Sequence, residues 1–212
     1  PISCTNAELL ESIGATDLPI ITHVHELDYA ISYFGQQNWD AARRQTTRYF
    51  ACADAVVQAL IQRHGIAAAR VSRHYEAIPT GRVIELAAVK SPATARAELN
   101  IPAPAFLIAA CGSADPRKGA DLFVQLAAIL KARSCRQPVR LVWIGRHRDE
   151  SLRNQWEEAV ARLGVGDVLH FAGEQENPFP LLNACDVFAL PSREDPFPLV
   201  MLEAATLGKP VV

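Results

Sequence analysis

From Ala105 onward, short apolar runs alternate with amphipathic stretches, and this pattern leaves a chain few ways to fold. The run 105–111 is apolar throughout. A strand built from it must be buried on both faces, which requires helices packed on either side of a largely parallel sheet. The spacing predicts a helix over 120–132, a strand over 139–144, a helix over 151–163 and a strand over 168–172. A helix over 178–184, a strand over 186–190, a helix over 199–207 and a new strand from Pro210 follow. The expected fold class is α/β, with a Rossmann-like parallel-sheet domain preceded by part of a second one.

The earlier part of the chain repeats the alternation less clearly. A helical piece at 6–13 precedes a strand at 18–24, a polar helix at 39–49 and a short strand at 50–52. A helix over 54–63, capped by Asp54 and stopped near Gly65, leads to a strand over 71–78. Between Pro79 and Pro92 the pattern dissolves into Pro, Gly and Ser, and Pro102 and Pro104 follow. The domain boundary is therefore placed there, with 1–85 as the remnant of a first domain and 86–212 as the second. The chain starts at Pro1 and stops inside a predicted strand, so it is expected to be an internal fragment.

At 212 residues, 50% of them apolar, the chain can bury a substantial core. The net charge is −2 and no basic stripe carries interleaved aromatics, which argues against nucleic-acid binding. No apolar run is long enough to span a bilayer, and no charged lead precedes an apolar stretch at the N-terminus. The five cysteines are scattered and fit neither a zinc pattern nor a disulfide framework. A cytoplasmic setting and small-molecule partners are the expectation.

Two segments carry candidate chemistry. In the first, the strand 187–190 runs into Pro191-Ser192-Arg193-Glu194-Asp195-Pro196-Phe197-Pro198 and then a helix from Leu199, with Gly208 as its stop. Helix starts after parallel strands bind anions and hydroxylated ligands. Asp195 can cap free amides, whereas Glu203 lies inside the helix between Leu202 and Ala204, where an ionised carboxylate needs solvent or a partner. The plain reading is a cap and a solvated acid; the sharper one is that both accept hydrogen bonds from ligand hydroxyls.

In the second, Gly112-Ser113-Ala114-Asp115-Pro116-Arg117-Lys118-Gly119 follows the strand 105–111. Two cations before a helix start oppose the macrodipole. Either solvent and Asp115 or Asp121 balance them, or Arg117, Lys118 and the amides near Gly119 clasp a diphosphate. A third feature is His23-Val24-His25-Glu26, whose alternation puts both imidazoles on one face. No third metal ligand is spaced nearby, so a hydrogen-bonded strand end is expected and no metal site.

The stretch 193–212 resembles the signature of family 4 retaining glycosyltransferases, of the GT-B, glycosyl transferases group 1 type. There, two acids separated by seven residues flank an aromatic and small-residue turn, followed by a Leu-Glu-Ala helix and a Gly-x-Pro-Val segment; Asp195 and Glu203 match the two acids. Asp195 stands where the family usually has Glu, and Pro198 where it usually has Gly; Glu194 could partly substitute for the longer acid. Lys118 matches the lysine of the phosphate loop, with Ser113 at the usual arginine position. Gly173-Glu174-Gln175 is similar to the loop that contacts the nucleobase, and His25-Glu26 to a cleft-facing histidine and acid.

The resemblance implies a nucleotide-diphosphate sugar donor on the second domain and a glycan, lipid or small-molecule acceptor on the first, as in polysaccharide biosynthesis. Glu203 would hold the ribose, Asp195 the sugar, and amides from Phe197 through Pro198 to Leu199 the sugar or phosphate. Lys118 and Arg117 would stabilise the leaving diphosphate and Glu174 would meet the base. His25 would assist transfer with retention, and no cofactor or metal is implied. A fragment lacking both outer ends is expected to be inactive by itself; membrane docking at the periphery is left open. Two rivals are a sugar-nucleotide epimerase of the same fold and a nucleotide-binding domain without transfer activity.

Overall fold

The computed structural model describes residues 18–34, 36–133 and 136–212. The helix expected over 6–13, with Cys4 and Cys135, lies outside the described residues. Two compact units emerge: Pro1–Ala77 with Glu194–Pro198, and Ile78–Arg193 with Leu199–Val212.

The first unit is built on a parallel three-stranded sheet, β1 (Ile21–Val24), β2 (Arg48–Ala51) and β3 (Val71–Arg73), with β2 in the centre. Helices α1 (Asp28–Phe34), α2 (Gln36–Gln45) and α3 (Asp54–Gln58) connect the strands, and α3 runs on into a π-helical turn at Ala59–Arg63. Alternate strand residues Val24, Tyr49 and Ala51 meet Trp39, Val56 and Leu60 in one core. His64 is structural: it accepts the Trp39 indole N–H at 3.1 Å and lies 3.2 Å from Asp28. Asp54 opens α3 but does not cap it. Ala53 is the cap residue, with no side-chain bond, and the Asp54 carboxylate is instead taken by Arg73 at 2.8 and 3.0 Å.

The predicted breaker region 79–92 is the largest departure from the sequence-based expectation. It holds α4 (Thr80–Ala87), and α5 (Pro92–Glu98) follows. Pro92 is no breaker because it occupies the first turn of α5, where its missing N–H is not needed, and Ser91 caps that helix by accepting from Thr94 N at 3.1 Å. The boundary expected between 85 and 86 falls inside α4.

The second unit contains β4 (Phe106–Cys111), α6 (Ala120–Ala132), β5 (Val139–Ile144), α7 (Glu150–Leu163), β6 (Leu169–Gly173), α8 (Phe179–Ala184), β7 (Val187–Phe188) and α9 (Leu199–Thr206). The sheet is parallel, in the order β6-β5-β4-β7, and Val211 bridges to Phe188 beyond β7. The period of two explains the apolar strands. Ala110, Leu141 and Trp143 face α6 and α7, while Leu107, Ala109, Val142 and Ile144 face the opposite core with Leu182 and Ala204 of α8 and α9.

Arg96 ties α5 to this sheet. Its guanidinium donates to Ala184 O (2.9 Å), Ala105 O (2.8 Å) and Asp186 (2.8 Å), and Asp186 also accepts from Leu107 N at 2.7 Å. Only 14% of the Arg96 side chain is exposed. Removing it strands two carbonyls and a carboxylate. We expect Arg96→Ala to cost about 3 kcal/mol. The measurement is denaturant unfolding followed by the Trp143 and Trp156 fluorescence of this unit in a Trp39→Phe background, and a change below about 0.5 kcal/mol would refute the role.

Candidate functional site

The strand order of the second unit reverses between β4 and β7, and ligands bind where such a reversal opens the carboxyl edge of a parallel sheet. The loops after those two strands touch there. Gly119, with φ +81°, caps α6, and a Cβ on it would stand 2.2 Å from Pro191 O. Gly145 is similarly enclosed, with Gly112 O at 2.1 Å from where its Cβ would be. Gly112 has φ +141°, and the Lys118 stem passes 3.7–3.8 Å from its Cβ position. At Gly119 and Gly145 the backbones pack too closely for any side chain.

The loop 112–119 is fastened from below. Trp143 donates its indole N–H to Gly112 O and Trp156 to Ala114 O, each at 2.9 Å. Asp115 is buried and accepts from Lys118 N at 2.9 Å, so it shapes the turn. Asp121 does not balance the loop cations as the sequence suggested it could. It forms a two-pronged pair with Arg193 at 2.6 and 2.7 Å, and Arg193 also donates to Pro116 O while its backbone N–H donates to Arg117 O. The Arg193 guanidinium holds the Asp121 carboxyl below its usual range. Sequence reasoning missed Arg193 as the clamp; its only sequence signal was a lone cation next to the acid pair.

Lys118 and Glu203 both lie within electrostatic reach of Cys111 at the end of β4. Burial pushes the Cys111 thiol up to about 12, with Glu203 raising it further and Lys118 lowering it, so all three groups share one neighbourhood. The Glu203 carboxylate makes no hydrogen bond or ion pair with any described residue. Burial raises its pKa. Glu174 lies apart from them along the same edge. With Arg146, His147, Phe171 and Gly173 it lines an open cavity of about 590 Å³.

The remaining predicted residues belong to the first unit, except Leu199, which opens α9 in the second. Glu194 accepts from the amides of Tyr29 (3.3 Å) and Ala30 (3.4 Å), so its carboxylate already serves the start of α1. Phe197 packs on the first unit's core and stacks on Tyr75 at 5.5 Å. Asp195 lies close enough to Cys52 to help raise its thiol to about 11, after burial and Glu76. His25 faces Glu76, with Nδ1 3.0 Å from Oε1. Nothing in the sequence pattern pointed to Glu76, which arrives from the far strand of the sheet.

A parallel α/β unit with the loop after β4 packed against the loop after β7 at its switch point is of the Rossmann-like class. Residues 92–212 match the family model described as glycosyl transferases group 1, and the chain belongs to that family. It is 32% identical over 122 residues to the lipopolysaccharide core biosynthesis glycosyltransferase LpsD of Rhizobium meliloti, covering 58% of this chain and 33% of that protein. It is 34% identical over 132 residues to a D-inositol 3-phosphate glycosyltransferase of Saccharomonospora viridis, covering 58% and 30%. The match thus spans about a third of each curated relative. Among solved structures, Anabaena HepE in complex with UDP and glucose superposes with a TM-score of 0.74 at 22% identity, covering 91% of this chain and 52% of that one. This likeness shows the GT-B fold.

A desolvated Glu203 has a testable sign. An acid whose folded pKa lies above its unfolded one costs stability at high pH, and the cost disappears as pH falls through the folded pKa. Glu203→Gln should therefore melt at or above the wild-type temperature at pH 8, with the difference vanishing toward pH 4. Differential scanning calorimetry checks this; a lower melting temperature at pH 8 would mean that the carboxylate has a stabilising partner.

Proposed function

We propose that this protein transfers a sugar from a nucleotide-diphosphate donor with retention of configuration, as a family 4 enzyme, and that Ile78–Val212 carries most of the donor site. The observation that carries the reading is that Lys118, from the loop after β4, and Glu203, from α9, both lie within electrostatic reach of Cys111 at the end of β4. Glu203, half-buried and without a partner, accepts the ribose hydroxyls, whose hydrogen bonds offset its desolvation. Lys118, Arg117 and the amides at the start of α6 take up the charge that develops on the diphosphate as the glycosidic bond breaks. The donor side works without a metal because those cations supply the counter-charge. Asp195 and the backbone of Phe197, Pro198 and Leu199 serve the sugar, and Glu174 the base.

His25 assists on the acceptor side. The acceptor is a glycan, a lipid-linked sugar or a phosphorylated polyol, classes consistent with the names of the curated relatives. We assign the enzyme to the cytoplasmic compartment; among the described residues no helix is long and apolar enough to cross a membrane. Ser113 favours a second reading, a nucleotide-binding domain that has lost transfer, because it stands where the family places an arginine.

Calorimetric titration with UDP, GDP and ADP tests the assignment. We expect selective binding of one of them, weakened at least tenfold in Glu203→Ala and in Lys118→Ala, each a loss of about 1.4 kcal/mol or more. Binding that persists unchanged in both variants would place the nucleotide elsewhere.

A further inference from the structure

The histidine pair of the first unit belongs to no step described above on the donor side, and its geometry leads further. His23 is in β1, His25 follows the end of that strand, and Glu76 follows β3. Because β1 and β3 flank β2, groups leaving their carboxyl ends can converge beside the end of the central strand. They do so here. Glu76 Oε1 lies 3.3 Å from His23 Nε2 and 3.0 Å from His25 Nδ1, with the two rings 4.1 Å apart. One ligand atom from each of the three residues lies within 4.8 Å of the other two.

These contacts are close, yet they do not satisfy one another. Glu76 Oε1 and His23 Nε2 are buried atoms that make no hydrogen bond, a condition that native interiors rarely leave in place.

We propose that His23 Nε2, His25 Nδ1 and a Glu76 carboxylate oxygen bind one divalent transition-metal ion of the zinc type. Zinc takes nitrogen and carboxylate ligands at about 2.0–2.2 Å, and tetrahedral ligands at that radius sit roughly 3.3–3.6 Å apart. The separations of 3.0 and 3.3 Å are already near that spacing. Two imidazoles and one carboxylate are a borderline donor set. Calcium and magnesium prefer all-oxygen shells, and copper(I) prefers sulfur. Three protein ligands leave a fourth position for water or a substrate oxygen. The sequence concealed this site because its third ligand lies two strands away from the His-x-His pair.

The test uses the untagged full chain, stripped with a chelator and desalted, then titrated with Zn²⁺ by calorimetry and with Co²⁺ by visible absorption. We expect one equivalent of each ion and the cobalt absorption of a four-coordinate nitrogen and oxygen site, without thiolate charge-transfer bands. Glu76→Gln and His25→Asn should each weaken Zn²⁺ at least tenfold while keeping the wild-type circular dichroism; His170→Asn, on the exposed surface of the second unit, should not. Absence of binding by the folded wild type would overturn the proposal, as would thiolate bands or wild-type affinity in both ligand variants. Should a ligand variant fail to fold, the wild-type cobalt spectrum still decides. None of these readouts depends on nucleotide binding, so the outcome is independent of the transfer reading.

Discussion

The donor-side geometry depends on two backbones packed too closely to admit a side chain. Gly119 lies against Pro191 O, where even a methyl group would overlap, and this contact locks the loop after β4 to the loop after β7 at the sheet's switch point. Everything proposed for the donor follows from that contact. It turns the start of α6 toward the strand ends, carries Lys118 over Gly112, and starts the segment that leads to α9 and Glu203. The Arg193–Asp121 pair reinforces the same junction from the surface, and the indoles of Trp143 and Trp156 reinforce it from the core.

The electrostatics are arranged around charge rather than around neutral packing. Arg117 and Lys118 precede a helix start, where the macrodipole already places positive potential. Asp121 could have offset them, but its carboxylate is occupied by Arg193. On the other side of the junction Glu203 keeps an acid half-buried with no described group to stabilise it. The half-buried Glu203 costs stability, and a hydrogen-bond donor such as a ligand hydroxyl would lessen that cost.

Much of the second unit could be read directly from the sequence, because strands buried on both faces leave an unbroken apolar record. The helix 120–132 and the strand 139–144 were predicted with the bounds found. Helices α4 and α5 were not legible. Their Pro and Gly residues look like breakers, and α4 fully buries only Val83 and Ala87. In the first unit, Asp54 has the composition of a cap but is claimed by Arg73. Lys118 and Glu203 could be singled out in the sequence because each lies in a local motif. Arg193 and Glu76 could not, because their roles are set by partners on other loops and strands, and a linear pattern holds no record of such pairings.

Amide hydrogen exchange with and without UDP tests the central claim that the β4–β7 junction forms the donor site. The account predicts added protection confined to 112–120 and to the first turns of α9. Protection absent from both segments but present elsewhere in the chain would contradict it.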